Sequence, residues 1–210
     1  MTKVKICGLM KPEHVQAAVD AGTDAIGFVF APSRREVTVE QAQKLAKLIP
    51  SSVLKIGVFV NETKENLQKV YDEVPLDYIQ YHGDETPAFI QQVGLPSIKA
   101  LPIENEDDVK LATTYDVDYY LFDTPGVEYK GGSGKTFDWS LLENAGVSKE
   151  QIILAGGLHA GNVQEALGQV KPYMVDVSSG VEIEKQKDTE RIQTFIHTAK
   201  GRRDRHDNRN

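Results

Sequence analysis

Ala25-Ile26-Gly27-Phe28-Val29-Phe30, then a polar loop, then residues 39–48, then Leu54-Lys55-Ile56-Gly57-Val58-Phe59-Val60: this stretch decides the fold. Its outer runs have strand length and are rich in Val, Ile and Phe. Between them Ala42, Leu45, Ala46 and Ile49 fall on one helical stripe. A strand, a helix and a second strand at this spacing make a parallel pair with a helical crossover. Outward from here the unit repeats. Further apolar runs lie at 4–7, 78–81, 98–101, 119–122, 152–155 and 174–177. Helical spacing is predicted over 12–21, 62–74, 87–93, 106–114, 139–144, 161–169 and 188–199, the first opening at Pro12 and closing at Gly22.

Strict alternation over eight units implies a parallel sheet, either closed into a barrel or left as an open doubly wound sheet. No Gly-x-Gly-x-x-Gly follows the first run, so dinucleotide binding at a switch point lacks support. The expected fold is α/β, a single (β/α)8 TIM barrel over residues 1–200, with a polar, disordered tail over 201–210. No loop is long enough to divide it.

With 210 residues, 40% of them hydrophobic and 26% charged, the chain can bury a sizeable core without cross-links. The net charge of −7 disfavours broad nucleic-acid binding. No apolar run approaches the roughly 18 residues of a membrane span. Met1-Thr2-Lys3 leads straight into an apolar run with no signal-peptide core, so a cytoplasmic location is expected. One cysteine, Cys7, excludes an intrachain disulfide and a cysteine-based zinc cluster.

In barrels of this class the chemistry sits at the carboxyl ends of the strands. There the sequence places Cys7, the loop Pro32-Ser33-Arg34-Arg35, Gln80-Tyr81-His82-Gly83, Asp123-Thr124, Gly156-Gly157 and Ser178-Ser179-Gly180. Gly131-Gly132-Ser133-Gly134-Lys135-Thr136 lacks Walker spacing and follows a long loop, which argues against an ATP site. The glycines after runs seven and eight suit a phosphate held by backbone N–H groups, with tight turns as the plainer reading. Cys7 reads as core packing or as a functional thiol; Asp123 as a general acid or a cap. His82 reads as an acid–base group, a hydrogen-bonding wall or a core histidine. No metal-ligand spacing accompanies it. Lys5, Lys99 and Asp176 fall on the interior face, where an ion-pair network is the favoured reading over catalysis.

Taken in order, these segments resemble a family. Lys5-Ile6-Cys7-Gly8-Leu9, Gly27-Phe28-Val29-Phe30 with Ser33-Arg34-Arg35, Gln80-Tyr81-His82-Gly83, Asp123-Thr124, Gly131 to Trp139, Ala155-Gly156-Gly157-Leu158 and Val175-Asp176-Val177-Ser178-Ser179-Gly180-Val181-Glu182 are similar to the N-(5′-phosphoribosyl)anthranilate isomerases of tryptophan biosynthesis. The resemblance spans about residues 3–200. It implies an Amadori rearrangement with Cys7 as general base, Asp123 as general acid, and no metal or redox cofactor. It implies substrate binding by Arg35, Gln80, His82, Gly132 and Asp176, and phosphate binding by Gly156, Gly157, Ser179 and Gly180. Arg35 is expected at the anthranilate carboxylate, with Arg34 as the alternative alignment. The implied partner is the small-molecule phosphoribosyl anthranilate, with no nucleic acid or membrane, in a monomer or homodimer. A histidine-pathway sugar isomerase would end runs one and five in aspartate, but Cys7 and Leu101-Pro102 stand there. A non-catalytic phosphate-binding barrel would tolerate loss of Cys7 or Asp123, and both are present.

Overall fold

Lys3–Cys7 (β1) pairs in parallel with Ala25–Val29 (β2) on one side and with Met174–Val177 (β8) on the other. The second pairing joins the chain's two ends and closes the sheet. The computed structural model describes residues 2–125 and 136–201. Leu54–Phe59 (β3), Tyr78–Tyr81 (β4), Ser97–Pro102 (β5), Tyr119–Asp123 (β6) and Ile152–Leu154 (β7) complete a closed, all-parallel barrel in chain order. The expected barrel is the observed one. The Gly131–Thr136 stretch, Gly132 included, falls outside the described residues except for Thr136, as does the tail after Gly201.

Period-two alternation gives the wall two cores. Ile26 and Phe28 on β2 are fully buried against the helices, in the larger core that also holds Val4, Ile6 and Phe122. Ala25, Ile56, Ile98, Leu121, Ile153 and Met174 point inward and fill the barrel. Tyr78, Tyr119 and Tyr173 pack against this inner core, with centroids 5.6 Å and 4.8 Å apart. A full plug of this kind sends the chemistry to the other end.

The helices are Pro12–Ala21 (α1), Val39–Ala46 (α2), Lys64–Glu73 (α3), Pro87–Val93 (α4), Glu106–Leu111 (α5), Val163–Val170 (α6) and Thr189–Ala199 (α7). Thr38, Thr63 and Thr86 cap three of them by accepting a hydrogen bond from the third helical N–H, each worth about 1 kcal/mol. A parallel device serves the strands. Asp24, Asp77 and Asp118, each just ahead of an even-numbered strand, accept from the N–H of Val4, Lys55 and Ser97 on the preceding strand, at 2.7–2.8 Å.

Three helix expectations need correction. Trp139–Asn144 is a 3-10 helix, because the six residues between the Asp138 and Ala145 caps are too few for a stable α nucleus. The 106–114 segment is α-helical only to Leu111. Beyond it the Thr113 and Thr114 hydroxyls bond back to the carbonyls of Lys110 and Leu111, and Ala112–Thr114 tightens to 3-10. The sixth helix starts at Val163, since Asn162 Oδ1 turns back to the His159 N–H. The hairpin of Glu182–Ile183 (β9) and Gln186–Lys187 (β10), between β8 and α7, went unread.

Candidate active site

Lys5 and Cys7 stand on the same face of β1, two residues apart, so both side chains enter the barrel mouth. Gly27 lies opposite Cys7 in the β1–β2 register. A Cβ there would meet Cys7 Sγ at 2.8 Å and Lys5 Cε at 3.2 Å, so the absent side chain is what admits the thiol and the lysine end together. Cys7 is 8% exposed. Burial pushes its thiol above the usual value, against the pull of the Lys5, Lys187 and Arg35 charges.

Lys5 is fully buried and pairs with Asp176 Oδ2 at 2.9 Å. Burial alone would discharge it, but the Asp176 and Cys7 partners hold its ammonium above the ordinary lysine range. It also donates to Gln80 Oε1 at 2.9 Å. Lys99, by contrast, does not join this group. It pairs with Glu85 at 3.0 Å and donates to the Gly83 carbonyl, tying β5 to the loop after β4. Among the described residues Lys5–Asp176 and Lys99–Glu85 are therefore separate interior ion pairs, where one network was expected. Lys5 meets Asp176 in the β1–β8 register, whereas Lys99 on β5 stands beside the end of β4 and takes Glu85 from the loop that follows it.

Asp123 closes β6 and is 8% exposed. Burial, reinforced by the Asp176 carboxylate, pushes its pKa up to about 7, although the Thr124 N–H at 2.7 Å and Lys5 oppose the shift. His82 Nε2 stands 3.7 Å from Asp123 Oδ2. The other ring nitrogen, Nδ1, lies 2.9 Å from Gln80 Nε2. Asp176 Oδ1 is buried and has no hydrogen-bond partner among the described residues.

Asp123 and Asp176 line one cleft with Gly156, Gly157, Ser178 and Ser179. Gly156 and Gly157 take φ of +84° and +61°, a conformation that side chains resist. Ser179–Val181 forms a short 3-10 turn after β8, and a Cβ on Gly180 would run into the Leu158 carbonyl. The two glycine loops thus touch.

A chain with this geometry has close relatives. A family model described as N-(5′-phosphoribosyl)anthranilate (PRA) isomerase matches residues 4–198. The chain belongs to this family. An N-(5′-phosphoribosyl)anthranilate isomerase of Listeria monocytogenes is 52% identical over 201 residues, covering 94% of this chain and 98% of that protein. The phosphoribosyl anthranilate isomerase from Thermotoga maritima matches with a TM-score of 0.88 and 41% identity, over 96% of this chain and 100% of that one. A further PRA isomerase structure, in complex with reduced 1-(o-carboxyphenylamino)-1-deoxyribulose 5-phosphate, gives 0.84 and 37% with the same coverage.

Of the residues the PRA isomerase resemblance singles out, Cys7, Gln80, His82, Asp123 and Asp176 converge on the mouth. Gly156, Gly157, Ser179 and Gly180 form its adjoining wall. Arg35 sits at the side, where Glu182 accepts from its Nε at 2.7 Å and its Nη2 at 3.2 Å. The same carboxylate takes Arg34 Nη2 at 2.7 Å and Lys187 Nζ at 3.1 Å. Arg35 is 17% exposed and Arg34 43%, which puts Arg35 on the inner side of the pair.

Lys187 was missed. Its ammonium donates to the Ser178 carbonyl at 2.7 Å and to Ser178 Oγ at 3.2 Å, and Ser178 Oγ bonds the Cys7 carbonyl at 3.3 Å. Burial, together with the nearby Arg35 charge, lowers its pKa to about 8 in spite of Glu182. The sequence signal that would have exposed it is absent. The β9–β10 turn uses Glu184 and Lys185 at φ of +49° and +65°, without the Asn-Gly or Asp-Gly that announces a hairpin.

Proposed function

We propose that this chain isomerises N-(5′-phosphoribosyl)anthranilate to 1-(2-carboxyphenylamino)-1-deoxyribulose 5-phosphate in tryptophan biosynthesis, with Asp123 as acid and Cys7 as base. The observation that carries the assignment is a buried carboxylate, Asp123, at the same barrel mouth as a buried thiol, Cys7, with burial pushing the carboxyl pKa upward. Protonated Asp123 gives its proton to the furanose ring oxygen as the C1–O bond breaks, and the nitrogen lone pair forms a protonated Schiff base. That positive charge acidifies the C2 proton, which Cys7 removes as thiolate. The C2–H electrons become the C1–C2 double bond and the iminium pair returns to nitrogen. Tautomerisation of the resulting enolamine moves the O2 proton away and adds one at C1. C1 is reduced as C2 is oxidised, so electrons balance within the substrate and the enzyme exchanges only protons with it.

The phosphate docks on the Gly156, Gly157, Ser179 and Gly180 amides, beside the short turn after β8. Asp176 Oδ1, buried without a partner among the described residues, is the acceptor for a ribosyl hydroxyl. Gln80 and His82 form the polar wall next to Asp123. Arg35 binds the anthranilate carboxylate through Nη1, the donor outside its Glu182 pair. Gly132, which the family resemblance assigns to substrate binding, lies outside the described residues. We place the enzyme in the cytoplasm, as a monomer or homodimer. Loss of anthranilate-type fluorescence on supplying phosphoribosyl anthranilate tests the activity, and an unchanged signal with folded protein would refute it.

A further inference from the structure

Lys5 lies beneath Cys7 on β1, and Asp176 lies beside Asp123 on the wall of the same cleft, yet the two charges are themselves bonded at 2.9 Å. The pair is consequently a buried dipole laid across the barrel mouth. Its positive end faces the thiol, and its negative end faces the acid. We infer that Lys5 and Asp176 are positioning residues whose opposed charges let deprotonated Cys7 and protonated Asp123 coexist, resting on the acid–base roles proposed above.

The need for such a device follows from burial. Taking both groups out of water favours the neutral thiol and the neutral acid alike. Only the second is useful. Catalysis by this pair needs the less stable microstate, Cys7 as thiolate while Asp123 keeps its proton. Its share of the enzyme falls tenfold for each unit by which the thiol titrates above the acid. A uniform potential cannot close this gap, because it moves both groups together. A dipole can.

The groups that face each residue bear this out. Around Cys7 stand Lys5 on β1, Asp176 on β8, Lys187 on β10 and Arg35 after β2; Lys5 is the strongest of these and draws the thiol down, outweighing Asp176. Around Asp123 stand Asp176, Lys5 and His82 at the end of β4. There the order reverses, and Asp176 pushing the acid up outweighs Lys5. Each member thus outweighs the other at the group that it helps. Burial explains why the effect survives: Lys5 is 0% and Asp176 8% exposed, so little water screens them. Gln80 holds the lysine end in place from the opposite wall.

The single cysteine makes the test direct, because one 13Cβ resonance of labelled cysteine reports Cys7 alone. Lys5→Met leaves Asp176 as a bare buried charge and risks the fold, so Lys5→Met/Asp176→Asn, which carries neither charge, is measured beside it. In the double variant the Cys7 titration moves upward, and the alkaline limb of kcat/KM moves with it. The acidic limb moves downward, and kcat/KM at neutral pH falls about tenfold or more. Asp176→Asn alone, which keeps the ammonium, moves the Cys7 midpoint down instead. A purely structural pair would lower activity or stability without spreading the two limbs apart. Folded variants whose Cys7 resonance and both limbs titrate at the wild-type positions would overturn the inference. Failure of the underlying acid–base assignment is read separately, as full activity in Cys7→Ala, and would overturn both.

Discussion

Gln80 accepts the Lys5 ammonium on Oε1 and thereby turns its amide nitrogen toward His82 Nδ1, at 2.9 Å. Lys5 can only donate, so the amide cannot flip without setting two donors face to face. His82 Nδ1 must then accept, and the ring proton sits on Nε2, the nitrogen 3.7 Å from Asp123 Oδ2. A buried lysine on β1 therefore chooses the tautomer of a histidine at the end of β4.

Gln80→Glu reverses the polarity of this arm. A carboxylate in place of the amide nitrogen favours a proton on Nδ1 and stabilises the imidazolium. Nitrogen-15 spectra at neutral pH should show His82 as the neutral Nε2–H form in the parent and protonated in the variant. Identical spectra would show that Gln80 does not govern the ring.

Cys7→Ala removes a small, buried side chain and leaves the Lys5–Asp176 pair intact. The fold should survive, with a loss from the missing sulfur no larger than about 1–2 kcal/mol. The kcat should fall at least about 100-fold, as expected for removal of a general base. Thermal denaturation and steady-state kinetics on one preparation separate the two effects.

Asp123→Asn should trade activity for stability. The folded state keeps the Asp123 proton up to about pH 7, whereas the unfolded chain loses it near 4. A raised carboxyl pKa means that native stability declines as pH rises through this window. Asparagine, which never ionises, is spared that decline, by at most about 4 kcal/mol above pH 7. Variant and parent should melt together near pH 4, and the variant should melt higher at pH 8. Its kcat should drop steeply with a smaller change in KM, because the lost proton is needed only as the ring opens.

Arg35→Ala and Gly157→Asp separate the two ends of the substrate. The arginine acts at the anthranilate carboxylate, so its loss should weaken a product analogue about 10- to 100-fold and leave inorganic phosphate nearly unchanged. Gly157→Asp puts a side chain and a negative charge where φ is +61° beside the phosphate amides, and should weaken both ligands. Calorimetric titration of each variant decides the orientation. Equal loss of phosphate and analogue affinity in Arg35→Ala would reverse it.

What the sequence by itself determined is what local chemistry encodes. Short apolar runs such as Ala25 to Val29, helical stripes such as Ala42 and Leu45, and Gly22 as a helix stop are read from neighbours a few residues apart. These are enough for eight units and for the strand-end positions of Cys7, Asp123 and the glycine loops. The partners of the charged residues are a different matter. Lys5 meets Asp176 across 171 residues only because β1 pairs with β8, and Lys99 meets Glu85 because β5 pairs with β4. Either lysine could have served either carboxylate on interior pattern alone. Lys187 reaches Ser178 through a turn whose residues carry no turn signature. Barrel closure and strand register decided these contacts, and with them which buried charges stand beside the thiol and the acid. Electrostatic energy depends on distance in space, and distance along the chain carries no record of it.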